Sequence, residues 1–174
     1  QIVRMFEQAV ADYTGAPFAV SVDSCTSALF LCCKYMNVTE VTIPAQTYLS
    51  VPMAIMQAGG AVVFDKRPEA NHWRGAYQLK PYPLWDSAKR FTSNMYQSGQ
   101  LMCLSFHIKK SLGIGKGGMI LTDDEGAVEW RAEFTAMGKK RYIGLYRSAS
   151  RAAKAYRNAK AKHIRAVAKE QPRP

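Results

Sequence analysis

Apolar residues recur every three to four positions along residues 2–13, IVRMFEQAVADY. This spacing puts Ile2, Met5, Phe6, Ala9 and Val10 on one face of a helix that Gly15 and Pro17 end. The pattern then contracts to FAVSV, Phe18–Val22, a short apolar strand. Asp23 and Ser24 offer an N-cap to a helix from Thr26 to about Met36. VTIP, Val41–Pro44, predicts a second strand, a helix over Ser50–Gln57 stops at Gly59-Gly60, and AVVFD, Ala61–Asp65, predicts a third strand. Lys66–Pro83 is polar and Pro-containing and predicts a loop. LWD, Leu84–Asp86, is a short strand ending in an acid; LMCLSF, Leu101–Phe106, and MILT, Met119–Thr122, are two more strands. Strands alternating with helices predict an α/β fold with a mostly parallel sheet. In such sheets ligands collect beyond the carboxyl ends of the strands. Ser24, Thr26, Asp86, His107 and Lys110 all follow predicted strand ends, which makes them candidates for one site.

Composition narrows the class. A chain of 174 residues, 48% hydrophobic and 21% charged, suits one globular domain with a real core and is short for two. No apolar run approaches the ~18 residues of a membrane span, and no basic-then-apolar start suggests a secretory leader, so a cytoplasmic location is expected. Cys25, Cys32, Cys33 and Cys103 lack metal-ligand spacing and are expected as reduced thiols, the adjacent pair on a buried helix. His72 and His163 have no Cys or acid at ligand spacing, so no metal site is expected.

The net charge of +11 is unevenly placed. Twelve of the 24 Lys and Arg lie from Lys139 onward against one of the 13 acids, Glu170, so residues 1–138 are neutral. The expected division is a body over 1–138 and a basic helical or disordered tail over 139–174. Within that tail, residues 146–169 read as an Ala-, Lys- and Arg-rich helix with few apolar anchors. A solvated helix, a disordered tail, an altered-frame ending and an arm for nucleic acid or another anion all fit it.

The motif LSFHIKKSLGIGKGGMILTDD, Leu104–Asp124, holds the candidate chemistry. GIGKGG, Gly113–Gly118, is followed by a strand rather than by a helix whose N-terminus could meet a pyrophosphate, and no Ser or Thr follows Lys116. The nucleotide-loop reading fails, and a tight turn accounts for the glycines. A lysine such as Lys109 or Lys110 becomes a covalent nucleophile only where its surroundings activate it and hold a carbonyl partner. Pyridoxal phosphate is the commonest such partner. It needs a lysine, an acid for its pyridine nitrogen, an anion cradle and a ring support. Asp86 suits the acid, although a helix N-cap before Ser87 would use the same residue. SCTSAL, Ser24–Leu29, with Ser105, suits the cradle at a helix start, although simple capping would too. Tyr48 suits the ring support or plain core.

In this order SCTSAL, IPAQTYLSVPMAIMQAGGAVVFD, WDSAK and the lysine motif resemble the DegT/DnrJ/EryC1/StrS family of sugar aminotransferases, over roughly residues 6–130. The resemblance implies a shortened three-layer fold like the large domain of fold-type I transferases. It also implies pyridoxal phosphate as cofactor and glutamate and a keto-sugar, nucleotide-linked, as substrates of a homodimer. The family's Ser-Phe-His, two residues, lysine pattern selects Lys110 as the Schiff-base lysine. It assigns Asp86 to the pyridine nitrogen, Ser24, Cys25, Thr26 and Ser105 to the phosphate, Tyr48 to the ring, and His107 to the pocket lining. Four departures stand out. Cys25 replaces the usual Gly, Lys89 the usual Gln that meets the ring hydroxyl, and Lys116 a frequent Glu. Only 20 residues separate Asp65 from Asp86, where the family carries at least one further strand and helix. The expected alternative is a catalytically inactive, truncated remnant of this fold whose basic tail binds nucleic acid or another anionic partner; a sugar dehydratase of the same kind would lack Lys110.

Overall fold

In the computed structural model, which describes residues 2–128, 130–136 and 139–146, helix α1 spans Ile2–Thr14. It buries Val10, Ala11 and Thr14 and half-buries Phe6, whereas Ile2, Met5 and Ala9 of the expected face stand exposed. A polar tie to Ser21 holds that rotation: Glu7 Oε1 accepts the Ser21 N–H at 2.9 Å and its hydroxyl at 2.7 Å. Counting apolar positions alone misses it.

Strand β1, Phe18–Val22, leads into α2, Cys25–Tyr35, capped by Ser24, whose hydroxyl oxygen accepts the Ser27 N–H at 3.1 Å. Next come β2, Glu40–Pro44, α3, Ser50–Ala58, and β3, Ala61–Asp65. Helix α3 ends at Gly59, which takes the left-handed conformation (φ 99°) that favours glycine. The expected loop over Lys66–Pro83 instead contains a 3-10 turn, Pro68–Asn71, and a two-residue strand β4, Tyr77–Gln78. That strand is too short for periodicity to announce. Strands β5, Leu84–Asp86, β6, Leu101–Ser105, and β7, Gly118–Thr122, follow.

Five strands form one sheet in the order β1-β7-β6-β5-β4. The expected α/β class holds, and the sheet is mixed: β5 and β6 run parallel, while β7 opposes both its neighbours and β4 opposes β5. The connection after β6 carries no helix to make the crossover that a parallel return usually needs, and β7 comes back antiparallel. All of β7 and nearly all of β6 is buried, as expected of strands covered on both faces. On one face Met102, Leu104, Met119 and Leu121 pack with Val10, Phe6 and Phe106. On the other, Cys103 Sγ lies 3.8 Å from Cys32 Sγ of α2. Helices thus cover both faces of the sheet, giving three layers. All four cysteines are buried free thiols.

Strands β2 and β3 pair in parallel as a separate two-stranded sheet. Its tie to the larger sheet is the bridge between Thr42 and Lys80, with Thr42 N–H to Lys80 O at 2.8 Å and the reciprocal bond at 3.1 Å. The short Asp65–Asp86 connection therefore leaves the β2–β3 pair outside the main ladder.

The described residues fall into two compact units divided between Asp124 and Glu125. In the second, β8, Trp130–Ala136, and β9, Lys139–Tyr146, pair antiparallel with a register shift at Ala132/Glu133. Lys139–Tyr146 is therefore a strand, not the start of a helical tail; Tyr142, Ile143 and Tyr146 are residue types that favour strands. The remainder of the expected helix, 147–169, lies outside the described residues. Among the described residues no helix is long and apolar enough to cross a membrane.

Candidate active site

Strands β1, β5 and β6 run the same way and end at one edge of the sheet, where β7 begins. Gly118 opens β7 and pairs with Val22 on one side and Ser105 on the other. A Cβ at Gly118 would sit 2.4 Å from the Ser24 carbonyl carbon and 2.5 Å from the Cys25 nitrogen. Only glycine lets β7 pass this close to the start of α2. Gly118→Ala must push those backbones apart and is expected to cost about 1–3 kcal/mol of stability, read by denaturant unfolding.

The first turn of α2 supplies N–H groups that lack intrahelical acceptors, with the positive end of the helix dipole behind them. The Ser24 hydroxyl lies 3.0 Å from that of Ser27, and Thr26 Oγ1 donates to Ser50 Oγ at 2.9 Å, tying α2 to α3. Half-buried Ser105 stands beside this turn through Gly118, its hydroxyl oxygen accepting the His107 N–H at 3.4 Å. Hydroxyls and amides thus gather where an anion is favoured.

Asp86 ends β5 and is 6% exposed. Its Oδ1 accepts the Ala88 N–H at 2.9 Å, its Oδ2 accepts the Tyr77 hydroxyl at 2.8 Å, and Cys25 Sγ lies 4.0 Å from Oδ1. Burial pushes the Asp86 carboxyl above its ordinary range, opposed by the Ala88 and Tyr77 bonds and by the charges of Lys110 and Lys89. Burial, with Asp86 beside it, pushes the Cys25 thiol well up, so it stays protonated and keeps an S–H to donate.

The lysine-bearing connection is a closed loop. Phe106 N–H donates to Gly117 O (3.0 Å), Ile108 N–H to Gly115 O (3.2 Å) and Ile114 N–H to Phe106 O (3.2 Å). A Cβ at Gly113 would meet the Ile108 carbonyl oxygen at 2.5 Å, so the glycines serve a tight turn. Inside it, Lys110 N–H donates to His107 O at 2.8 Å and Lys109 N–H to His107 Nδ1 at 3.3 Å. His107 and Lys109 are exposed, and Lys110 is half-buried. The Lys110 charge acts on both Asp86 and Cys25, so the structure brings Lys110, Asp86 and the start of α2 together.

Two expected residues stand differently. Tyr48 is 77% exposed in the turn before α3. Lys89 is exposed, with Nζ 5.1 Å from the centre of the Trp73 ring. The aromatic that does reach Asp86 is Tyr77, which pattern reading placed in a loop. The alternation of buried Tyr77 and Leu79 around half-buried Gln78 is its one trace in the sequence.

Comparison with known proteins places this edge in context. The sequence model of the DegT/DnrJ/EryC1/StrS aminotransferase family matches residues 1–70 and 87–162. The match continues past Trp130, where the motif resemblance was expected to stop, because Ala-, Lys- and Arg-rich sequence offers few distinctive residues to recognise. The spore coat polysaccharide biosynthesis protein SpsC of Bacillus subtilis (strain 168) is 28% identical over 164 residues, covering 71% of this chain and 42% of that protein. Among solved structures, S. venezuelae DesV in complex with a ketimine intermediate has a TM-score of 0.59 at 20% identity, covering 71% of this chain and 45% of that one. Bacillus subtilis NtdA with bound cofactor PMP has a TM-score of 0.61 at 16% identity, covering 84% and 44%. At these identities the structural likenesses speak for the fold, and the chain spans less than half the length of each of these relatives. With most of its residues matched by the family's own sequence pattern, the chain belongs to the DegT/DnrJ/EryC1/StrS aminotransferase family.

Proposed function

We propose that this chain supplies the cofactor-binding part of a pyridoxal-phosphate-dependent aminotransferase. Its amino donor is glutamate, its acceptor is a keto-sugar carried on a nucleotide, and the working form is a homodimer. One observation carries the reading: a buried carboxylate, Asp86, a half-buried lysine, Lys110, acting on it, and a helix start with a hydroxyl cradle share one sheet edge.

The residues present suit pyridoxal phosphate. The α2 amides with Ser24, Thr26 and Ser105 would take the phosphate, Cys25 contributing its backbone amide. Asp86 would face the pyridine nitrogen and Lys110 the aldehyde. When bound, the cofactor supplies an aldehyde that takes up the amino group and a ring that withdraws electrons. Asp86 holds a proton on the ring nitrogen by keeping a negative charge beside it. Lys110 Nζ would take the proton from the donor's α-carbon as base and deliver it as acid to the cofactor carbon that had been the aldehyde. Tyr48, His107 and Lys89 are assigned to the rim, on the open side of this edge. Exposed Tyr48, Leu49, Met53 and Met56 form an apolar stretch that supports a second copy docking there.

The reading is tested by adding L-glutamate to protein loaded with pyridoxal phosphate. Release of 2-oxoglutarate, with loss of the visible absorption band, is the expected result. A band that ignores glutamate favours the second reading, a cofactor-binding remnant without turnover. The β2–β3 pair standing outside the main ladder favours that alternative. The family match running to residue 162 counts against a separate nucleic-acid arm over 139–162.

A further inference from the structure

The family pattern passes over residues 71–86, yet this segment makes three bonds to the turn between β2 and α3. Asn71 Oδ1 accepts the Gln46 N–H at 2.8 Å, and the Trp73 indole N–H donates to the Gln46 carbonyl at 3.2 Å. Tyr77 and Thr47 share a short hydroxyl–hydroxyl bond. The Tyr77 and Trp73 rings pack 5.1 Å apart at 58°, and Tyr77 is 6% exposed.

Proton counting orients the hydroxyls. Ionised Asp86 can only accept, so the Tyr77 proton goes to Asp86 Oδ2 at 2.8 Å. The phenol has no second proton, so Thr47 donates to Tyr77. A directed relay results, Thr47 to Tyr77 to Asp86. It is built on the β4–β5 pairing in which Tyr77 stands directly opposite Asp86. With Oδ1 engaged by the Ala88 N–H and faced by the Cys25 thiol at 4.0 Å, one lone-pair direction on Oδ2 is left for a ligand.

We infer that Tyr77 is a positioning residue for Asp86: its hydroxyl, held by Thr47, fixes which carboxylate oxygen faces the ligand and fastens the Thr47–Tyr48 turn to that acid. The unmatched segment thereby does by direct stapling what a longer connection does not do in this chain. The functional consequence rests on Asp86 serving a pyridine nitrogen.

The test uses the full chain without cofactor, following the Asp86 carboxyl carbon by NMR across pH. The groups facing that carboxyl are Tyr77 of β4, Cys25 of α2, Cys103 opposite it on β6, Lys110 after β6 and Lys89 after β5. Tyr77→Phe removes a donor that favours the ionised form, so Asp86 titrates at higher pH than in wild type. Thr47→Val shifts it the same way by less, and Thr47→Ser restores the wild-type curve. Pyridoxal phosphate affinity falls roughly tenfold in Tyr77→Phe, as expected for one lost bond to a charged group. Wild-type titration in both Tyr77→Phe and Thr47→Val overturns the inference. A shifted titration in a protein whose wild type takes up no pyridoxal phosphate leaves the relay standing and removes the functional reading instead.

Discussion

Lys110→Ala is expected to abolish covalent capture of pyridoxal phosphate and to lower any transamination by at least roughly 10²–10⁴-fold, the range lost with a positioned acid–base group. Borohydride treatment of wild type followed by peptide mass spectrometry should find the cofactor fixed at Lys110, and the variant should show none. Lys109→Ala is the matched control, because Lys109 is exposed whereas Lys110 is half-buried and acts on Asp86 and Cys25. The turn leaves these neighbouring lysines unequally exposed. Cofactor fixed at Lys109, or retained in Lys110→Ala, would end the site assignment.

Asp86→Asn is expected to act in opposite directions on activity and on stability. Losing the negative charge beside the ring nitrogen should reduce turnover by roughly 10²-fold, comparable to removing one preorganised electrostatic partner. Stability without cofactor moves the other way. Burial holds the Asp86 carboxyl above its ordinary 3.8, so the folded chain keeps this proton to higher pH than the unfolded chain does. The folded state therefore binds more protons between 3.8 and the raised value, and the Asp86 contribution to stability falls as pH rises through that window. Above the window the ionised carboxylate opposes folding. In Asp86→Asn this dependence disappears, and the variant should unfold at higher denaturant than wild type near neutral pH. A series of unfolding curves from acid to neutral pH checks it: parallel curves for the two proteins would show that burial does not hold the Asp86 carboxyl above its ordinary range.

Both effects come from the same placement. A carboxyl that burial pushes toward its neutral form is costly to ionise in the free protein and useful beside a cation. Tyr77, Ala88, Lys110 and Lys89 lower that cost without removing it. Cys25 adds to the apolar side of the balance: where the family usually has Gly, a protonated thiol fills the space between α2 and Asp86.

The local signals in this chain were strong where apolar runs were long. The buried runs of β6 and β7, the Ser24 cap, the glycine stop after α3 and the lysine-loop glycines could each be read from adjacent residues, because each depends on neighbours a few positions away. The chain order of Ser24, Asp86 and Lys110 after strand ends came from the same local reading. The rotation of α1 did not, because Glu7 ties it to Ser21 of β1 through bonds that a count of apolar positions ignores. Nor did β4, whose two residues carry no period.

By itself the sequence determined the α/β class, the elements around the site and the lysine motif that identifies the family, since these rest on short-range patterns and residue types. Tertiary structure alone decided that β7 runs against its neighbours, that β2 and β3 stand apart, and that Tyr77 holds the acid. Those outcomes depend on strand direction and register between residues as far apart as Cys25 and Asp86, and no local pattern encodes which distant strand will lie alongside.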